Sequence, residues 1–193
     1  MPAVVRHLLP AVALLGAALA QANPAVYPTP GTPAPVTASF VAATTGQLVA
    51  YYTGAAGGFT NLVGARINGV DGAIGLTNQG SAYGQTFVLG TVSTGDSLVF
   101  FIDVNAGSAR YYTDPSLNAD GVNHAWSASY AGDALVPAGI NIAFEDLANG
   151  GDFNYNDHSI VFQITAVPEP AGWALMLGGA AALLARRRRP NTA

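Results

Sequence analysis

Between residues 39 and 166 the chain is built from short β-favouring runs, and nowhere does it repeat apolar residues at a helical period over a useful length. The runs are Leu48 to Thr53, Asn61 to Ile67, Thr86 to Leu89, Leu98 to Val104, Arg110 to Thr113, Ala125 to Tyr130, Ile140 to Phe144 and Ser159 to Thr165. Asn68-Gly69, Asp71-Gly72, Thr94-Gly95-Asp96 and Asn149-Gly150 stand where such a chain has to reverse, because these residues tolerate the positive φ of tight turns. Ile140, Ile142 and Phe144 alternate with Asn141 and Ala143, and Ile160, Phe162 and Ile164 alternate with Gln163 and Thr165, so each run offers one face to a core. Leu98-Val99-Phe100-Phe101-Ile102 is apolar on both faces and is the candidate central strand. This pattern predicts an all-β domain, an antiparallel β-sandwich of jelly-roll-like kind.

The two ends read differently. Residues 1–22 open with Arg6 and His7, run apolar from Leu8 to Ala20 and reach small residues at Ala18-Leu19-Ala20 and Ala20-Gln21-Ala22, the three-part layout of a secretory signal peptide addressed to the Sec translocon. Pro10 and the shortness of the run argue against a retained anchor. Residues 23–38 carry Pro24, Pro28, Pro30, Pro33 and Pro35 and are expected to be an extended spacer. The tail, 167–193, reads Pro168-Glu169-Pro170, then an uncharged stretch over 171–185, then Arg186, Arg187, Arg188 and Arg189. At 1.5 Å per residue that stretch makes a marginal transmembrane helix of about 22 Å, and the arginines hold its far end on the cytoplasmic side, leaving the domain outside.

Composition narrows the chemistry. The whole chain has no cysteine and no lysine, which removes disulfides, thiolate metal sites, cysteine nucleophiles and Schiff-base catalysis. Between the two end segments only Arg66 and Arg110 stand against ten carboxylates, leaving eight negative charges unbalanced. Such a surface does not suit nucleic acid. Stability has to come from the core or from bound ions.

The densest polar cluster lies between the last two alternating runs, where Glu145, Asp146, Asp152 and Asp157 fall within thirteen residues together with Asn154 and Asn156. Hard oxygen ligands at alternate positions converge on one ion when a loop curls, so Glu145, Asp146, Asp152, Asn154, Asn156 and Asp157 form a candidate Ca²⁺ site. It is not an EF-hand, because Asp157 stands where that loop requires glycine and no glutamate follows at the twelfth position. The competing reading is a run of Asx turns that binds its own backbone without metal. Asp114, Asn118 and Asp120 are a second acidic group that would add oxygens if both loops share one end of the domain, with ordinary turns as the alternative. His124 and His158 are candidate zinc ligands only as a distant third reading, lacking a helical pair.

Two resemblances rest on these residues. Pro168-Glu169-Pro170, the hydrophobic stretch with Trp173 near its start and the arginine cluster resemble the PEP-CTERM sorting signal. That resemblance implies recognition by an exosortase-type membrane protease that cuts near the tripeptide, an inner-membrane precursor with its domain outward, and final delivery to the cell surface or extracellular matrix of exopolysaccharide-making bacteria. Over about residues 95–165, Phe144-Glu145-Asp146-Leu147, Gly150-Gly151-Asp152 and Tyr155-Asn156-Asp157 leading into Ile160-Val161-Phe162 resemble the DUF4114 family of secreted bacterial proteins, as does the upstream segment from Tyr112 to His124. The chain departs from that pattern at Asn154 and His158. This family implies a β-rich extracellular module and brings no reaction with it.

The expected function is a noncatalytic surface or matrix module, binding calcium or exopolysaccharide, with Tyr51, Tyr52, Tyr111, Tyr112, Trp126 and Tyr130 as candidate sugar-stacking residues. One rival is a glycoside hydrolase using Glu145 as general acid with Asp152 or Asp157 as partner. The other is a structural coat or filament subunit.

Overall fold

The computed structural model of the chain describes residues 26–36 and 40–166. The signal peptide expected over 1–22, the transmembrane helix expected over 171–185, and Pro168, Glu169, Pro170 and Arg186 to Arg189 lie outside the described residues. Among the described residues no helix is long and apolar enough to cross a membrane.

The described residues form an all-β fold of ten strands, every pairing antiparallel. In chain order these are β1 (Phe40–Val41), β2 (Gly46–Gly54), β3 (Asn61–Ile67), β4 (Val70–Thr77), β5 (Thr86–Val92), β6 (Ser97–Val104), β7 (Ala109–Tyr112), β8 (Ala125–Tyr130), β9 (Gly139–Phe144) and β10 (His158–Thr165). The first sheet runs β1-β6-β3-β4, with β7 pairing to β6 beyond β1; the second runs β5-β2-β10-β9-β8.

Alternation decides which side chains meet. Leu48, Ala50 and Tyr52 of β2, Ile142 and Phe144 of β9, and Ile160 and Phe162 of β10 bury against Val63 and Ala65 of β3 and Leu98, Phe100, Ile102 and Val104 of β6 in one continuous core. Phe100 and Phe162 touch across it, ring centres 4.4 Å apart. β6 is an inner strand as its two apolar faces predict. Its outward Phe101 is also fully buried, beneath the Arg110 guanidinium at 4.5 Å from the ring centre.

Asn68-Gly69 is a two-residue hairpin turn, with φ of 49° and 81° at its two positions and Ile67 opposite Val70. Asp71-Gly72, expected to reverse the chain, instead lies inside β4, and Asp71 faces Arg66 in register. The two glycines of that strand serve close approach. A Cβ on Gly72 would stand 2.9 Å from the Leu89 carbonyl oxygen, and one on Gly75 would meet the Phe87 ring, so β4 can lie against β5 of the other sheet.

The outer face of the second sheet is covered as well. Tyr130, Val136 and Val161 pack with Tyr51 and Tyr83. Within the stretch expected to be a spacer, residues 26–36 lie back across β8 and β9, where Tyr27 and Ala34 bury with Ala143, Trp126 and Tyr155. Tyr27 meets Tyr155 and Trp126 edge-on at 4.9 and 5.5 Å. A turn at Thr29–Thr32, closed by the Thr32 amide on the Thr29 carbonyl (3.2 Å) with Gly31 at φ 86°, breaks this segment, and Gly31 and Ala34 keep free amides to bond the domain.

Gly64 on β3 has no room for a side chain, since a Cβ there would overlap the buried Phe101 ring. Gly64→Ala is expected to lower the unfolding free energy by about 1–3 kcal/mol through overpacking, read as a shifted urea midpoint with unchanged slope.

Candidate metal centre

β9 and β10 are neighbours in the second sheet, and their pairing closes on Phe144 opposite His158. The chain from residue 145 to 157 therefore leaves and re-enters the sheet at one point. The Asp157 amide donates to the Phe144 carbonyl (3.0 Å) and the Glu145 amide to the His124 carbonyl (3.0 Å), so the sheet itself fixes both ends of the loop.

These bonds bring Glu145, Asp146 and Asp157 together. All three are buried, and one carboxylate oxygen from each lies within 4.8 Å of the others. Few donors reach them. Asp157 Oδ2 accepts from the Asp146 amide (3.0 Å), Glu145 Oε1 accepts from the Leu147 amide (3.3 Å), and Asp146 Oδ2 accepts from Asn61 Nδ2 (2.7 Å). Glu145 Oε2 and Asn61 Oδ1 are buried with no partner. Asn61 is in turn held by Asn78, whose Oδ1 accepts from the Asn61 amide (2.8 Å) and whose Nδ2 reaches the Asp157 carbonyl (3.2 Å).

No side-chain cation of the described residues neutralises this group. Lysine is absent from the chain, and Arg66 and Arg110, the arginines of the described residues, serve a separate network on the first sheet. There Arg66 Nε bonds Asp71 Oδ1 (2.6 Å), Arg110 bonds Asp71 Oδ2 (2.9 Å) and Asp103, and the Tyr112 hydroxyl donates to Asp71 (2.8 Å).

Burial, with the Asp157 carboxylate beside it, consequently pushes the Glu145 carboxyl up to about 8. Burial also raises the Asp157 carboxyl; the Asp146 amide opposes that rise and the Asp146 charge adds to it. An open depression of about 370 Å³ lined by Gly58, Phe59, Asp146, Leu147 and Asp157 leads from solvent to the group. Backbone comes unusually close to the carboxylates, for a Cβ on Gly57 would lie 2.7 Å from Asp157 Oδ1 and one on Gly151 would overlap Glu145 Oε1.

The other expected ligands do something different. Asp152 accepts from the Asn154 amide (3.1 Å) and Asn154 Oδ1 from the Asn156 amide (3.0 Å), successive Asx turns on the loop's outer side. The expected six-residue set thus divides into a buried group of three acids and a surface run of turns. The turns bend the backbone sharply: Asn149, Phe153 and Tyr155 all have φ between 51° and 60°, a region costly for aromatic residues. Tyr155 is held there by its hydroxyl, which accepts from the Ala34 amide (2.9 Å) and donates to the Asn123 carbonyl (3.2 Å), while the Gly31 amide donates to the Asp152 carbonyl (3.0 Å).

The second acidic segment does reach this end of the domain. Asp120 Oδ2 accepts from the Asn149 amide (2.8 Å) and bonds His124 Nε2 (2.9 Å), whose Nδ1 lies 3.0 Å from the Glu145 carbonyl. Its oxygens are thereby occupied in positioning the loop. Asp114 caps Ser116 and Asn118 accepts from the Tyr112 amide, both turn bonds. His124 stacks on Tyr111 at 3.8 Å, and His158 is a core residue edge-on to Tyr52.

Tyr52, Tyr111 and Tyr130 are buried, Tyr51 packs beside Val161, Tyr112 serves the Asp71 network and Trp126 packs on Tyr27. Asn61 and Asn78 have no local signal in the sequence beyond a polar residue at each end of the β3–β4 hairpin. No family model, curated protein or solved structure matches the chain.

Glu145 releases its proton near 8 when folded and near 4.5 when unfolded, so the native state holds a proton that the unfolded state has lost. Stability of the ion-free protein should fall with rising pH across that interval. His158, pushed by burial down to about 3, works the other way only up to its unfolded value near 6.5. Melting curves in chelator are therefore expected to show falling stability from pH 6.5 to 8, and Glu145→Gln should flatten that limb.

Proposed function

We propose that the chain is an exported, noncatalytic surface or matrix module, a β-sandwich of jelly-roll-like kind that binds Ca²⁺ through Glu145, Asp146 and Asp157. The observation carrying the calcium reading is the group of three buried carboxylates without a side-chain cation, one of them with an oxygen that nothing else satisfies. Three carboxylates are a hard, oxygen-only donor set, and Ca²⁺ accepts six to eight such oxygens in flexible geometry, with waters entering through the depression to fill the remainder. The ion would supply the positive charge that lets all three acids ionise inside the fold.

A glycosidase acid has to meet a sugar oxygen in a cleft, with its partner carboxylate placed across the bond. Glu145 is 1% exposed and lies against backbone at Gly151, which favours an ion over a sugar. The sorting part of the reading rests on the chain ends: the signal peptide delivers the domain through the Sec translocon, and Pro168-Glu169-Pro170 with Arg186 to Arg189 presents it to an exosortase-type protease.

Calorimetric unfolding of the purified chain is expected to show a melting point about 10 °C higher in calcium at a hundredfold excess over Kd than in chelator. Asp157→Asn should abolish the difference. Coincident curves for the unsubstituted chain would leave the loop a metal-free turn. In the producing cell, replacing Glu169 by Gln and Pro170 by Ala together is expected to keep the protein in the membrane fraction, which immunoblotting of fractions would detect.

A further inference from the structure

Asn61 is placed where the alternation of β3 demands an apolar residue. It shares the inward face with Val63 and Ala65, and all three are completely buried. Its carboxamide donates to Asp146 Oδ2 through Nδ2 (2.7 Å), but Oδ1 on the same group has no partner. Glu145 Oε2, on a residue of the same carboxylate group, is also buried and unpartnered. Once Glu145 is ionised, both orphans are acceptors. An amide oxygen and a carboxylate oxygen in one buried neighbourhood are then satisfied together by something positive, and the described residues offer no cationic side chain there.

We propose that Asn61 Oδ1 is a further protein ligand of the Glu145–Asp146–Asp157 site, so that a bound calcium ion ties β3 of the first sheet to the β9–β10 loop of the second. This assignment rests on the calcium reading above. The amide suits the position because it adds an oxygen without adding a fourth negative charge to a group that already repels itself. The site is then incomplete until both sheets are in place, and the ion acts as a staple between them at the end of the domain where the chain crosses from Gly54 of β2 to Asn61 of β3. The donor set also favours Ca²⁺ over Mg²⁺, which requires a tighter octahedron and keeps several waters.

Isothermal titration of the full chain with calcium chloride, alongside melting curves in chelator, separates ligation from a merely structural amide. Asn61→Ala is expected to weaken calcium binding about 10- to 100-fold. The decisive variant is Asn61→Asp, which keeps an oxygen at the same reach but loses the Nδ2 donor to Asp146. Retained calcium binding in Asn61→Asp, together with its loss in Asn61→Ala, supports ligation. Loss in both, or an affinity in Asn61→Ala equal to that of the unsubstituted chain, overturns it. If the unsubstituted chain gives no calcium heat, the calcium reading itself is overturned and this assignment goes with it. Should Asn61→Ala fail to fold in chelator, Asn61→Leu, of similar volume but without the oxygen, takes its place with the same outcomes.

Discussion

Three carboxyl groups crowded into a space shielded from water repel one another strongly enough that, without a counter-charge, at least one stays protonated. Much of the architecture at this end of the domain holds that unfavourable arrangement in place. The β9–β10 ladder fixes the two ends of the loop, glycines at 57 and 151 let backbone close around the acids, and Asp120 and His124 brace the loop through its own amide and carbonyl groups. Sheet, glycines and bracing residues all act to keep like charges together.

Charge is distributed unevenly across the rest of the molecule. Arg66 and Arg110 sit on the outer face of the first sheet, bound to Asp71 and Asp103 and lying over Tyr112 and Phe101. That network is self-contained, and with no disulfide available the sheets are held by the aromatic and aliphatic core and by the bonds of Asn61 and Asn78 to the acidic loop. The N-terminal strap adds a second set of ties, since Gly31 and Ala34 bond the acidic loop through backbone and through the Tyr155 hydroxyl. Loop, strap and core therefore form one continuous body at the acidic end.

Much of the fold was legible because strand alternation is a local property. The runs at 61–67 and 125–130 were placed to the residue, and the two-faced apolar run at 98–102 is an inner strand. β4 escaped because Asp71-Gly72 and Gly75 carry the composition of a turn, whereas here the glycines answer to a neighbouring strand that no local pattern reveals. The strap escaped because proline content reports an extended backbone and says nothing about what that backbone leans on. The acidic loop was half legible. Residues beside the strands converge because the ladder holds them, while the alternating Asp152, Asn154 and Asn156 turn to their own amides, and spacing alone permits either outcome. Asn61 reaches the same place from a strand more than eighty residues away, which only the pairing of sheets brings about.

The position of β10 has a consequence for how the chain comes together in time. It is the last strand of the described residues, yet it lies in the middle of its sheet, between β2 and β9. Until residues 158–165 arrive, β2 and β9 each present an open edge and the second sheet exists only as two separate fragments. A chain emerging N-terminus first is thus kept from locking prematurely, and the concluding insertion of one strand unites the sheet and sets the two ends of the acidic loop side by side in a single event.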